Sequence, residues 1–145
     1  MFDAVVRRYP AEVWGRRQNA FPILDIAADK RWQYASLADA GPWLIGCEIA
    51  PPQVRASLAV HAAGDTGVSW LVSAYSFGAL ASELCERLNV RLPDGRVALL
   101  RFYDARVMPH MASLFELTQR VQFFSPTYNW LVETNGQLTG VHPHA

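Results

Sequence analysis

Short apolar runs alternate along this chain with longer stretches in which apolar residues recur at helical spacing. Asp3 to Asn19 reads as a helix, with Val5, Val6, Tyr9, Val13 and Trp14 on one side and arginines on the other, and Pro10 marks a break. Phe21 to Ala27 is a short apolar run carrying Asp25, and Ala28 to Ala40 reads as a second helix. Gly41-Pro42 interrupts the pattern before a strand at Trp43 to Ile49. Pro51-Pro52 then opens a helix to about Ala62, since proline fits a first helical turn. Gly64 to Gly67 is a loop, Val68 to Ala74 a strand, and Phe77 to Leu88 an amphipathic helix with Ser76 as its cap. Near the end, Tyr128 to Glu133 and Gln137 to Val141 flank Asn135-Gly136, the signal of a hairpin turn. The alternation predicts an α/β fold: a mixed, mostly parallel sheet flanked by helices, closed by a C-terminal antiparallel hairpin. No repeat or internal linker divides the chain, so residues 1–145 read as one domain, with His142 to Ala145 a loose tail.

The most distinctive stretch runs from Asp94 to Val107. Pro93-Asp94-Gly95 is a turn signal. Val97 to Phe102 is apolar except for Arg101, which suits a central strand covered on both faces. A helix follows within Ala105 to Leu117, with apolar positions at Val107, Met108, Met111, Leu114 and Phe115. Asp104 is placed as its N-cap, although Pro109 moves the helix start toward Met108. A guanidinium at the end of a buried strand needs a partner, because an unpaired buried charge is costly. Asp104 or Asp25 is the expected partner of Arg101. Asp25, Arg101, Tyr103, Asp104 and Arg106 are therefore read as a structural polar cluster at one end of the sheet.

Composition narrows the function. Hydrophobic residues make up 51% of the 145 and charged residues 18%, which implies a folded core rather than disorder. Formal net charge is zero, so no general field draws nucleic acid or acidic lipid. Arg7-Arg8 and Arg16-Arg17 interrupt any apolar run near the start, and no stretch is long enough to cross a bilayer. This favours a cytoplasmic protein. Cys47 and Cys85 sit in apolar surroundings without metal-like spacing, so buried thiols are expected, although a disulfide between them is compatible with the sequence. His142 and His144 lack a third ligand at useful spacing; no metal and no cofactor is expected. Of the five tryptophans, Trp32, beside Lys30, Arg31 and Gln33, is the candidate for an exposed, partner-binding residue.

Arg101-Phe102-Tyr103-Asp104-Ala105-Arg106-Val107 resembles the signature of the type VI secretion effector adaptors, the family known as domain of unknown function 4123. Four weaker blocks stand in the family's order: Phe21 to Ala27, Gly41 to Ile45, Ser69 to Ser73, and Phe123-Phe124-Ser125-Pro126 followed by Trp130. The resemblance covers roughly 21–130. Ala105 stands where the family usually has proline and Ser125 where it often has glycine, and the chain lacks the additional C-terminal region of longer members. The resemblance implies a non-enzymatic cytoplasmic chaperone that binds a toxic effector and assists its loading onto the VgrG spike, itself a further candidate partner.

An enzyme is the competing reading. Arg101, Tyr103, Asp104, Arg106 and His110 could form an anion or phosphoryl site at strand ends, where α/β sheets often bind ligands. No nucleophile elbow, Walker loop or glycine-rich phosphate loop accompanies them. The favoured reading of the same residues is a charge cluster that locks the strand–helix junction, and a direct grip on the partner is the other alternative to catalysis.

Overall fold

The computed structural model describes residues 2–6, 20–22, 42–48 and 50–141. Its organising unit is a crossover. Strand β3 (Trp43–Gly46) leads into helix α1 (Pro52–Ala63), and α1 returns the chain to strand β4 (Val68–Val72). The two strands are not neighbours: strand β1 (Phe2–Val6) lies between them and pairs antiparallel with both. β3 and β4 thus run parallel to each other on either side of an antiparallel strand, a split β-α-β arrangement.

The same sheet extends outward in both directions. Strand β2 (Ala20–Pro22) pairs antiparallel with β3, and strand β7 (Asn129–Thr134) pairs antiparallel with β4. Strand β8 (Gln137–Gly140) folds back on β7. The order is β2-β3-β1-β4-β7-β8. Every described pairing is antiparallel, so the expectation of a mostly parallel sheet is corrected. Strand–helix alternation was a sound guide to the crossover, but it carried no information about the strand inserted between its arms. The stretch from Asp3 read as helical begins instead as β1. Over five residues, Val5-Val6 fits either period, and pairing on both sides decides for a strand.

The C-terminal hairpin forms where Asn135-Gly136 marks it. Both residues have positive φ, 51° and 73°, as a two-residue hairpin turn requires. The tip is pinned to the end of α1, since Asn135 N–H donates to the Gly64 carbonyl and Gly136 N–H to that of Ala62.

Each sheet face carries its own core, because successive strand residues point to opposite sides. On one face Ala4, Trp43, Ile45 and Val68 meet Val54, Leu58 and Ala62, which recur every four residues along α1. On the other, Leu44, Leu71, Trp130 and Val132 meet helix α2 (Phe77–Arg87), helix α3 (Met108–Leu114) and helix α4 (Leu117–Phe124). Cys47 packs against the first core and Cys85 against the second, so the two thiols belong to opposite faces. Ser76 caps α2 as expected, its Oγ accepting from Ala79 N–H at 3.3 Å.

Val97 to Phe102 departs most from its reading. Only Val97–Leu99 is a strand (β6), and it pairs with strand β5 (Asn89–Arg91) in a separate two-stranded hairpin. That hairpin turns at Gly95, with φ 85°. Val97 is exposed, so the run is not a central strand of the main sheet. Its apolar residues serve the helical layer instead: Leu99 and Leu100 pack against the second core, and Phe102 is fully inside it.

Candidate functional site: an arginine-locked junction and an apolar ridge

Asp104 lies in the turn between β6 and α3. Its N–H donates to the Arg101 carbonyl at 3.2 Å, and its own carbonyl accepts from Val107 and Met108 N–H at 2.9 and 3.0 Å. The helix proper starts at Met108, with Pro109 in its first turn, so Asp104 precedes the helix and does not cap it. The carboxylate closes this turn from inside. Oδ1 accepts from Arg106 N–H and Nε, both at 3.0 Å; Oδ2 accepts from Arg106 Nη2 at 2.9 Å and Arg101 Nη2 at 3.2 Å.

Asp104 is 1% exposed, while the Arg101 and Arg106 side chains are 52% and 42% exposed. The arrangement is a buried anion under two surface cations. Burial alone raises the Asp104 carboxyl pKa, but the hydrogen bonds from Arg106, its charge and that of Arg101 outweigh burial and hold it below the ordinary carboxylate value. The same bonds, the Asp104 charge and the more distant charge of Asp65 raise Arg106 against a small effect of burial. Arg101 is thus a surface residue with a buried partner, not the buried cation expected at a strand end. Tyr103 is half-buried and packs edge-on against Phe102, their ring centres 6.1 Å apart. His110 is exposed on α3. Asp25 and Trp32 lie outside the described residues, as do Trp14, His142 and His144.

Phe102 anchors this junction to the sheet. Its ring meets Phe123 at 5.6 Å and Trp130 at 5.8 Å, both edge-to-face. From the other side, the loop before β4 presses on Ala105: a Cβ at Gly67 would lie 2.9 Å from the Ala105 Cβ. The signature residues therefore tie the α1–β4 loop, the hairpin β7–β8 and the helical layer into one corner. Trp43 and Trp130 are buried, and Trp70 Nε1 donates to Glu133 Oε2 at 2.8 Å across neighbouring strands.

A second feature escaped the sequence reading. The helix expected over Met108 to Leu117 stops at Leu114, and α4 starts anew after Glu116. Gln119 Oε1 accepts from Glu116 N–H at 3.0 Å, and this Glu-x-x-Gln pattern was the legible signal of a new helix start. The break turns α4 so that Phe123 and Phe124 face the core while Leu117 and Val121 face outward. With Leu114 they form an apolar ridge, 69%, 75% and 50% exposed for Leu114, Leu117 and Val121.

Beside the ridge, α2, α4 and the β5–β6 hairpin enclose an open groove of about 360 Å³. Val90, Leu100, Phe115 and Phe123 line it with apolar surface, and Gln119 and Gln122 stand at its polar edge. Arg87 fixes one wall, with Nε donating to the Phe123 carbonyl at 2.7 Å, Nη2 to the Gln122 carbonyl at 3.0 Å and Nη1 to Glu83. Among the described residues, no group of three His, Cys, Asp or Glu could hold a metal ion, and no helix is long and apolar enough to cross a membrane.

These features define a split β-α-β domain with a conspicuous structural lock and an exposed apolar ridge. Residues 30–122 match the family model described as Domain of unknown function (DUF4123), and the chain belongs to that family. The matched segment contains the junction, the ridge and every residue that lines the groove except Phe123. Comparison with curated proteins and with solved structures returned no match.

Proposed function

We propose that this chain is a cytoplasmic adaptor that binds a type VI secretion effector and assists its loading onto the VgrG spike. Membership of the family and the order of its sequence blocks support this reading. The single observation that carries it is the ridge of Leu114, Leu117 and Val121 beside a groove floored by Phe115 and Phe123. Large apolar side chains grouped at the surface, next to a concavity with a polar edge, suit recognition of a partner's amphipathic segment. Asp104 is poorly placed for acid–base chemistry, because both its oxygens already accept from arginines and it has almost no solvent access. We read the junction as a lock, and the chain as a binding protein rather than a catalyst.

The test is a pulldown with the tagged chain from a lysate of a bacterium carrying a type VI system, followed by mass spectrometry. The expected result is one large toxin-like protein, with or without VgrG. A folded chain that recovers no such protein overturns the reading.

A further inference from the structure

Among the described residues, β8 ends one side of the main sheet, and its register shows which backbone groups are on offer. Thr134 and Gln137 flank the two-residue turn, and the pairing continues Glu133↔Leu138, Val132↔Thr139, Leu131↔Gly140. In such a hairpin the pair closing the turn exchanges hydrogen bonds, and bonded and non-bonded pairs then alternate. Gln137 and Thr139 therefore bond inward to β7. Val141 continues the inward set, with its N–H donating to the Trp130 carbonyl at 2.9 Å. The N–H and C=O groups of Leu138 and Gly140 point away from the sheet, spaced by about 6.8 Å along the strand.

Among the described residues, no strand, helix or loop is paired with this edge. Gln137, Leu138, Thr139 and Gly140 are all exposed, and they include no proline and no charge, the usual devices against strand addition. Leu138, opposite Glu133, lies on the α1 face of the sheet, where it is more than half exposed. An extended segment laid along β8 would satisfy the four outward groups and set one side chain beside Leu138.

We propose that β8 is a strand-addition site, and that its occupant is an extended segment of the cargo protein. This rests on the adaptor reading for the source of the segment. Backbone chemistry selects the class of partner, since two donor–acceptor pairs at strand spacing are complementary to another strand. A second copy of this chain fits less well. Pairing β8 with itself joins only four residues on each side, far short of the roughly 1,600 Å² that a stable interface buries. A cargo segment that adds to β8 also gains the contacts its parent protein makes elsewhere, such as on the ridge.

The test uses the complex of the full chain with the protein recovered in the pulldown. Hydrogen exchange, resolved to single amides, should show Leu138 and Gly140 N–H protected on the order of a hundredfold in the complex, with Gln137 and Thr139 little changed. Leu138→Pro removes an outward donor and keeps every inward bond, and Leu138→Lys adds an edge charge. Both should lower affinity for the recovered protein about tenfold at unchanged melting temperature, while Val60→Lys, on exposed α1 surface, leaves it unchanged. The inference is overturned if the two amides exchange as fast in the complex as in the isolated chain, or if both Leu138 variants bind like the parent. Protection of the same amides in the isolated chain, rising with concentration alongside a dimer in sedimentation, overturns the cargo in favour of self-pairing. If the parent recovers no cargo, the adaptor reading fails and this inference falls with it; if it recovers cargo without edge protection, this inference alone fails.

Discussion

Arg106 grips Asp104 at three points: its backbone N–H and Nε both reach Oδ1 at 3.0 Å, and Nη2 reaches Oδ2 at 2.9 Å. Arg101 adds one longer bond to Oδ2, at 3.2 Å. The carboxylate is buried while both guanidinium groups keep contact with water, so removing the anion lets the cations rehydrate, and removing a cation strands the anion. Asp104→Ala should therefore cost about 2 kcal/mol, the scale of lost hydrogen bonds to charged groups. Arg106→Ala should lower the urea midpoint well beyond Arg101→Gln. Equal midpoints for the two arginine variants would show that the grip is not shared as the geometry implies.

The same carboxylate sets a pH dependence. Its pKa is depressed in the folded chain, so the unfolded chain takes up the proton first as pH falls. The stabilisation is fully present above the unfolded value of about 3.9 and is lost as pH drops through the lower folded value. Urea midpoints measured from about pH 6 to about pH 2 should fall more steeply for the parent than for Asp104→Asn, whose side chain does not titrate. Parallel acid limbs would assign the loss to other carboxylates.

Phe102 joins the signature to the sheet through Phe123 and Trp130. Phe102→Ala leaves a cavity among aromatic rings and should cost about 3–5 kcal/mol. Phe102→Leu should recover part of it. Calorimetry of the two variants checks the order.

Gly67 has φ 68°, and a Cβ there would meet Thr134 Cγ2, the Glu133 carbonyl oxygen at 2.5 Å and the Ala105 Cβ at 2.9 Å. Backbone and packing both oppose a side chain, so Gly67→Ala should destabilise by more than about 1 kcal/mol. Gly95→Ala, with positive φ but open space around it, should cost less. Comparing their melting temperatures separates conformational strain from collision.

The ridge calls for the opposite outcome. Leu117→Glu combined with Val121→Glu changes exposed side chains, and the melting temperature should move by only a degree or two either way. Recovery of cargo in the pulldown should fall at least tenfold, about 1.4 kcal/mol or more. Undiminished recovery would move the binding face elsewhere.

Local signals in the sequence were legible where one residue type fixes one geometry. Asn135-Gly136 marked its turn, Pro51-Pro52 opened α1, Ser76 capped α2, and Pro109 placed the start of α3 near Met108. What failed depended on partners distant in the chain. Apolar runs such as Trp43 to Ile45 are buried on both faces, and two-sided burial looks the same whether the neighbouring strand is parallel or antiparallel. Val97 to Phe102 is apolar because it serves the helical layer, which its composition does not separate from a central strand. In the junction, Arg101, Asp104 and Arg106 were readable because their spacing within one turn suffices for contact. The ridge was not readable: Leu114, Leu117 and Val121 have the spacing of a core stripe, but α3 ends at Leu114 with that side chain exposed, and the new start after Phe115 leaves Leu117 and Val121 outside the core.

The place of β1 has a consequence for how the chain is made. Phe2–Val6 leaves the ribosome before β3 and β4, yet it ends between them, bonded along both sides. One flank can be satisfied once Trp43–Gly46 has emerged, but the other stays bare until Val68–Val72 follows the whole of α1. Through that interval the nascent chain holds a half-paired strand of Phe-Asp-Ala-Val-Val, and its completion waits on contacts far apart in sequence, the kind that slow folding most. Synthesis and refolding thus meet the same slow step, the capture of an early strand by a late one.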